Sequence, residues 1–425
     1  MRLVLISLDA VFTSDTDFLL SLPNLGRLAQ EGIFCNQVQT VYPTLTYPIH
    51  TSLITGCYPD MHGIGHNEPF KPDIPLHSRP WYWDSKHIRV ETLFTQAKKA
   101  GRDSAAILWP VTGHSPHIRY NFPEVLALPG ENQAWKVLRY GSALWLFVNE
   151  LKFGSRRKGG QQPQLDDFAT LIAQSLIRRQ YAKSERLGPA RDIAPSRKSR
   201  DKHMPDVLAL HLVDCDAMRH RFGTFSTEAK EALVRLDDKV GRLIGALEAR
   251  EALESTVLAV VTDHGQADVA GSLPLDAWLK ANRVPARAQT LGFGAYIRIN
   301  RGDYHPVLRV LRDHMEELQL RHVYTREELR GIHAPEDVLL AVEPEEGIAI
   351  VENENAAPHA ATHGFGLHHL GASCLMWLRG PMFWRGERLE KCSIVDVAPT
   401  LARATGLSLP QAQGRVLSEI FEGVV

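Results

Sequence analysis

The sequence predicts an α/β fold: a doubly wound, mostly parallel sheet with a small α+β cap inserted late in the chain. Three observations carry that expectation. Short apolar runs rich in leucine or β-branched residues, at 3–8, 105–108, 207–213, 257–262 and 373–378, alternate with longer segments of helical period. Acids and histidines follow several of these runs directly, and the carboxyl ends of parallel strands share one edge of a sheet. A chain of 425 residues, 44% of them hydrophobic, is long and apolar enough to bury a large core without staples.

The elements follow in order. The opening MRLVLISLDA has one basic residue, a short apolar run and then an acid. It lacks an export signal's length and small-residue cleavage site, so it reads as the first strand. No run of about 18 apolar residues occurs, so no membrane span is expected and the cytoplasm is the expected compartment. The stretch VYPTLTYPIHTSLITG reads as a loop entering a helix, with Pro48 in the first turn and Gly56 as the C-cap. A short helix at 165–177 lies within a polar, basic insertion, about 154–206. Its cations at 178–202 read as a solvated, partly mobile loop rather than an anion-binding device. The segment 227–247 sets apolar residues at helical spacing against a charged face, and 395–404 is a second such helix. Between them, 273–358 holds a strand-like GFGAYIRI, an amphipathic helix at 306–318 and a β-prone HVYT. This is the cap, which leaves 1–272 plus 359–425 as the main domain.

Composition narrows the function. Forty-eight Lys plus Arg face 49 Asp plus Glu, a formal net charge of −1 and a pI near 7.0, so a stable nucleic-acid complex is not expected. Five cysteines with no C-x-x-C pair argue against a disulfide framework and against a thiolate zinc site. Nineteen histidines stand out in a chain of otherwise ordinary charge.

Chemistry gathers at the strand ends. Asp9 ends the first strand, Asp214 and Asp216 follow VLALHLV, and Asp263 with His264 follows VLAVVT. A carboxylate cluster on one sheet edge demands cations. Asp216 and His220, spaced D-x-x-x-H, fall on one side of a helical turn; Asp214 lacks such a partner and reads as support behind it. Asp263-His264-Gly265 sets two donors back to back beside a glycine, and ATHGFG returns His363 late in the chain. Three carboxylates and three imidazoles suit a pair of zinc ions, with manganese or iron the weaker fits. Thr46 stands at or just before a helix start, where free N–H groups and the dipole favour an anion such as phosphate. Its hydroxyl is either an N-cap or, given the metal set, a metal-activated nucleophile.

Taken together, Asp9, TYPIH at 46–50, TGCYPDMHGI at 55–64, Asn67, Asp216 with His220, Asp263-His264-Gly265 and THG at His363 resemble the nucleotide pyrophosphatase/phosphodiesterase (type I phosphodiesterase) branch of the alkaline phosphatase superfamily. The resemblance runs from the first strand to the closing VDVAPTLARATGL. It implies two zinc ions per chain, one held by Asp9, Thr46, Asp263 and His264, the other by Asp216, His220 and His363. It also implies that Thr46 attacks phosphorus to form a phospho-threonine, that Asn67 donates to a phosphoryl oxygen, and that Tyr47 stacks on the leaving nucleoside. The substrate implied is a phosphodiester or nucleotide; a phosphomonoesterase or phosphonoacetate hydrolase of the same superfamily is the alternative. Ile49 departs from the family's usual asparagine and is expected to alter the substrate edge. Cys57 in C-Y-P-D-M approaches the sulfatase signature, but methionine replaces its arginine and the string lies past the nucleophile. His50, His62 and His66 are expected to be structural, and Trp81, Tyr82 and Trp83 to pack, with Trp109 at a strand end where it could line the pocket.

Overall fold

The structure, a computed structural model, describes residues 1–75, 78–179, 203–299, 302–352 and 359–423. Most of the basic stretch 178–202 lies outside the described residues, so its expected loop character has no structural counterpart.

The main sheet contains β1 (Arg2–Leu8), β2 (Ile33–Gln39), β3 (Ser104–Ile107), β4 (Tyr120–Phe122), β5 (Val207–Leu212) and β6 (Thr256–Thr262). Across the sheet the order is Glu387–Arg388, β2, Ser373–Arg379, β6, β1, β5, β3, β4. Strands β4, β3, β5, β1 and β6 are mutually parallel. Ser373–Arg379 is antiparallel to both β6 and β2, so the sheet is mixed, with one reversed strand in an otherwise parallel array. The polar interruption in β2 (IFCNQVQ) and the shortness of β4 keep both from standing out as apolar runs.

Alternate residues of β1 enter different cores, as a strand covered on both faces requires. Val4, Ile6 and Leu8 join one cluster, and Leu3 and Leu5 the other. The first is covered by helices Pro23–Glu31, Gln164–Ile177 and Thr227–Glu248, the second by Thr46–Thr55, Leu93–Lys99 and Ile394–Thr405. This is the doubly wound arrangement the alternating pattern predicts, and the helices expected at 165–177, 227–247 and 395–404 fall in place within a residue.

Between β6 and the reversed strand, a separate four-stranded antiparallel sheet has the order Leu320–Tyr324, Leu340–Pro344, Ala295–Ile299, Ala286–Thr290. Its own apolar cluster includes Leu275, Leu279, Ile297, Leu311 and Val342. It touches the main domain where function is expected. Tyr296 donates its hydroxyl to Gly65 O at 3.1 Å, and Gln289 Nε2 donates to Glu68 O at 3.2 Å, bracketing Asn67. Phe293 N donates to His363 O at 2.9 Å.

Candidate active site

Asp9 leaves β1 fully buried, and Ala10 turns the chain with φ 57°, an unusual value for a residue with a Cβ. Two contacts hold that turn: Ala10 N donates to Asp263 Oδ1 at 3.1 Å, and the buried Arg219 guanidinium donates to Ala10 O. Strand β6, next to β1, delivers Asp263 and His264. Strand β5, on the other side, delivers helix Asp214–Phe222, whose first turn is capped from outside: Asp166 Oδ2 accepts from Val213 N at 2.9 Å and Asp214 N at 3.0 Å. One helical turn then sets His220 Nε2 3.2 Å from Asp216 Oδ1. His363 arrives just ahead of the reversed strand; because that strand runs against its neighbours, it starts at the edge where β1, β5 and β6 end.

Thr46 is the first residue of helix Thr46–Thr55, after the N-cap position of Leu45, and among the described residues its hydroxyl bonds no backbone N–H. The N-cap role is therefore excluded. Instead Thr46 Oγ1 lies 3.3 Å from His264 Nε2.

Six of the seven expected ligand side chains, all but Thr46, fall into two groups, Asp9/Asp263/His264 and Asp216/His220/His363, and within each group the donor atoms lie within 4.8 Å of one another. Adjacent ligands around a tetrahedral zinc with bonds of 2.0–2.1 Å stand about 3.3 Å apart. Here His264 Nε2 is 3.4 Å from Asp263 Oδ2 and 3.6 Å from Asp9 Oδ1, while His220 and Asp216 are 3.2 Å apart. The histidine tautomers agree. Nδ1 of His220, His264 and His363 lies 2.8, 3.2 and 2.9 Å from the carbonyls of Ala361, Gly265 and Thr44. A carbonyl only accepts, so each Nδ1 carries a proton, and Nε2 is the nitrogen that offers a lone pair when the ring is neutral. Asp9 Oδ1 and Asp263 Oδ2 are buried without a hydrogen-bond partner among the described residues. These orphaned oxygens fit a cation, and a metal bound here would have Asp9, Asp263, His264, Asp216, His220 and His363 as its holders.

Electrostatics point the same way. Burial, then the facing carboxylates of Asp263 and Asp216, push Asp9 well above the usual carboxylate range. Burial also takes Asp263 up to about 6 and His264 down to about 4, and holds His363 well below an ordinary imidazole. Burial opposes the charged Asp216 and His220, but their mutual attraction outweighs it, keeping the carboxylate low and the imidazole high. The first group is thus short of positive charge and its imidazole is neutral, as a metal ligand must be.

A third buried cluster, His50, His211 and Asp263, has similar spacing but different chemistry. His211 Nε2 is 3.0 Å from Asp9 Oδ2, and its Nδ1 is 3.2 Å from Leu108 O and 3.6 Å from Glu124 Oε2. With acceptors on both nitrogens the ring has no lone pair to give a metal. It is a buried imidazolium that fixes Asp9; burial alone would lower its pKa, and Asp9 and Glu124 carry it well above the ordinary value. Sequence reasoning missed His211, whose one signal was an imidazole inside an otherwise apolar strand. It also missed Gln266, which donates Nε2 to Asp216 Oδ1 at 2.5 Å.

Other expectations need correction. Tyr47 is fully buried among Ile64, Trp83, Val111 and Val125, and its hydroxyl lies 3.3 Å from Glu124 O, so its ring has no free face for a nucleoside. Its role is positional: Tyr47 N, next in the chain to Thr46, donates to Asn67 Oδ1 at 3.0 Å, which commits the amide oxygen and leaves the Asn67 Nδ2 donors without a partner among the described residues. Ile49 lies in the apolar core with Val41, Leu53 and Val395, away from any substrate edge. Asp214 faces away from the site, held by Arg235 Nε at 2.6 Å. Trp109 is fully buried with its edge against His50, not in a pocket. Gly265 is required by space, because the Phe12 ring lies 2.4 Å from where a Cβ would stand. His62 and His66 satisfy turns, as expected: they accept from Ile64 N and Glu68 N.

A mixed α/β sheet of this topology, with paired buried donor groups at its carboxyl edge, is that of the alkaline phosphatase superfamily of metal-dependent hydrolases. Within it the chain belongs to the type I phosphodiesterase / nucleotide pyrophosphatase family, whose description matches residues 3–366. Bis(5'-adenosyl)-triphosphatase ENPP4 of Bos taurus is 22% identical over 420 residues, 96% of this chain and 78% of that protein. Ectonucleotide pyrophosphatase/phosphodiesterase family member 1 of Homo sapiens is 25% identical over 253 residues, 57% of this chain and 21% of that protein. Among solved structures, murine ectonucleotide pyrophosphatase/phosphodiesterase 5 superposes with a TM-score of 0.70 at 20% identity, covering 99% of this chain and 100% of that one. An inactive variant of that murine protein, in complex with AMP, gives 0.69 at 19% identity over the same shares. The chain is a hydrolase acting on phosphoric ester bonds.

Proposed function

We propose that the chain is a two-zinc phosphodiesterase or nucleotide pyrophosphatase that works through a phospho-threonine at Thr46. The observation that carries the reading is the Thr46 hydroxyl, free of any capping bond and 3.3 Å from the Nε2 of an imidazole that belongs to a metal-type donor group. Bound zinc would supply Lewis acidity, lowering the pKa of the threonine hydroxyl and balancing charge on the phosphoryl oxygens.

The protein's own residues supply the rest. Thr46 Oγ attacks phosphorus as the bond to the leaving oxygen breaks, and water later attacks the same phosphorus to release Thr46 and the phosphate product. In the first turn of helix Thr46–Thr55 Tyr47 N is taken by Asn67 Oδ1, Pro48 has no N–H and Ile49 N donates to Leu45 O, so the helix start offers the anion its dipole and the N–H of Thr46. Asn67, pinned through its oxygen to Tyr47 N, donates from Nδ2 to a phosphoryl oxygen as charge develops. His211 holds Asp9 in register from behind.

A diester is favoured over a monoester by charge. Among the described residues no arginine hydrogen-bonds or pairs with Thr46, Asn67 or the six donor side chains, and a doubly charged terminal phosphate calls for such a partner. The AMP bound to the structural relative supports a nucleotide-bearing substrate. Rates on bis-p-nitrophenyl phosphate and p-nitrophenyl phosphate, measured on zinc-loaded protein, test the reading. Diester preference is expected; a clear preference for the monoester would favour a phosphomonoesterase instead.

A further inference from the structure

Helix Ala143–Phe153 is apolar on both sides. Inward, Leu146 and Asn149 are buried and Trp145 packs against Tyr120 at 5.5 Å between ring centroids. Outward, Leu144, Phe147, Val148 and Leu151 are 79%, 52%, 39% and 73% exposed. Their spacing of i, i+3, i+4 and i+7 makes a single stripe along the helix. The preceding helix Gln133–Tyr140 adds Trp135, also 73% exposed. Scattered exposed leucines are ordinary, but a full helical stripe of large apolar residues marks an interaction surface.

The charge beside it identifies the partner. Lys152, Arg156 and Lys158 follow the stripe at the helix's carboxyl end, all exposed and without an ion pair among the described residues. The acids of the same stretch are already engaged, Glu131 by Lys136 and Glu150 by Arg157. The charge left over at that end is therefore positive.

We propose that this stripe and its basic end dock the protein on an anionic lipid surface, with the helix lying in the interfacial plane. An 11-residue helix is about 16 Å long, about half the thickness of a bilayer's hydrocarbon core, so it rests on the membrane and does not cross it. The apolar side chains enter the acyl boundary while the three cations sit among anionic headgroups, each strengthening attachment about fivefold. A second copy of the chain is a poorer occupant because it brings the same positive charge to the contact.

Co-flotation with vesicles of three parts phosphatidylcholine to one part phosphatidylserine tests this, using the full chain, a Leu144→Ser/Leu151→Ser variant and a Lys152→Glu/Arg156→Glu/Lys158→Glu variant. The wild type is expected to float, and each variant to bind at least about tenfold more weakly. Hydrolysis of soluble bis-p-nitrophenyl phosphate stays unchanged in all three, reporting an intact fold. The charge variant should match wild type on pure phosphatidylcholine. Wild type that fails to float with phosphatidylserine, or a serine variant that floats as well as wild type, overturns the proposal. So does concentration-dependent self-association that the serine variant abolishes without any vesicle binding.

Discussion

Gly364→Ala offers a graded test of how the late histidine is held. Gly364 has φ +87°, and a Cβ built there would stand 1.6 Å from Leu291 O. Ordinary contact begins near 3.4 Å, so the two backbones must part by about 1.8 Å, several times the roughly 0.2 Å tolerance of a zinc ligand distance. His363 precedes this position and is fixed on both sides, Nδ1 by Thr44 O and its carbonyl by Phe293 N, each at 2.9 Å. The displacement therefore withdraws a donor from the Asp216/His220/His363 group; in the other group it reaches His264 only through the ring stack with His363, centroids 4.0 Å apart. Gly130→Ala is the control: its φ is +85° but nothing lies within 4 Å, so it isolates the left-handed strain of about 1–2 kcal/mol. Metal content by elemental analysis after dialysis, paired with diester turnover, should show the Gly364 variant losing one of two zinc ions, with affinity at that group down at least about 100-fold. The Gly130 variant should keep both ions and full turnover. A Gly364 variant with wild-type metal content and rate would refute the placement of His363 as a ligand.

Three further outcomes follow from the same geometry. Asn67→Asp keeps an oxygen for Tyr47 N but removes the donor, so kcat should fall by roughly 100-fold or more with little change in thermal stability, a split read from kinetics and melting together. Asp166 is raised by burial, then by Asp214, from 3.8 to about 6, so the fold favours its protonated form. The stability this contributes is fully present below pH 3.8 and lost as pH rises through 6, about 3 kcal/mol in all; Asp166→Asn should abolish that decline in denaturant titrations, and parallel curves would contradict it. Burial holds Asp263 up at about 6 and Asp9 well above the usual carboxylate range, so zinc affinity measured by competition should go on rising as pH increases through 6, and a midpoint near pH 4 would assign control to His264 instead.

The candidate site was legible in the sequence because Asp9, Asp216 and Asp263 follow closely on parallel strands, and a parallel sheet gathers those ends whatever the distance along the chain. Asp9, Asp216 with His220, and Asp263 with His264 needed no tertiary knowledge beyond that rule. What escaped was direction. Position 47 says that Tyr47 neighbours the nucleophile, but only the packing of Trp83, Val111 and Val125, from loops far along the chain, decides that its ring points inward. The same holds for Ile49, buried under the helix, and for Asp214, captured by Arg235 across a helix interface. The reversed sense of Ser373–Arg379 is set by register with two neighbours, which an apolar run alone does not encode. His211 was hidden for a related reason: it lies within a strand, and its meaning depends on Asp9 and Glu124 meeting it from two other elements.

Thr46→Ala tests the central claim most directly. The methyl group leaves helix packing and all six donor side chains in place, so zinc content should remain at two ions per chain, while turnover of bis-p-nitrophenyl phosphate and trapping of a phosphorylated protein are both lost. A Thr46→Ala protein that binds two zinc ions and still hydrolyses the diester at the wild-type rate would contradict the account.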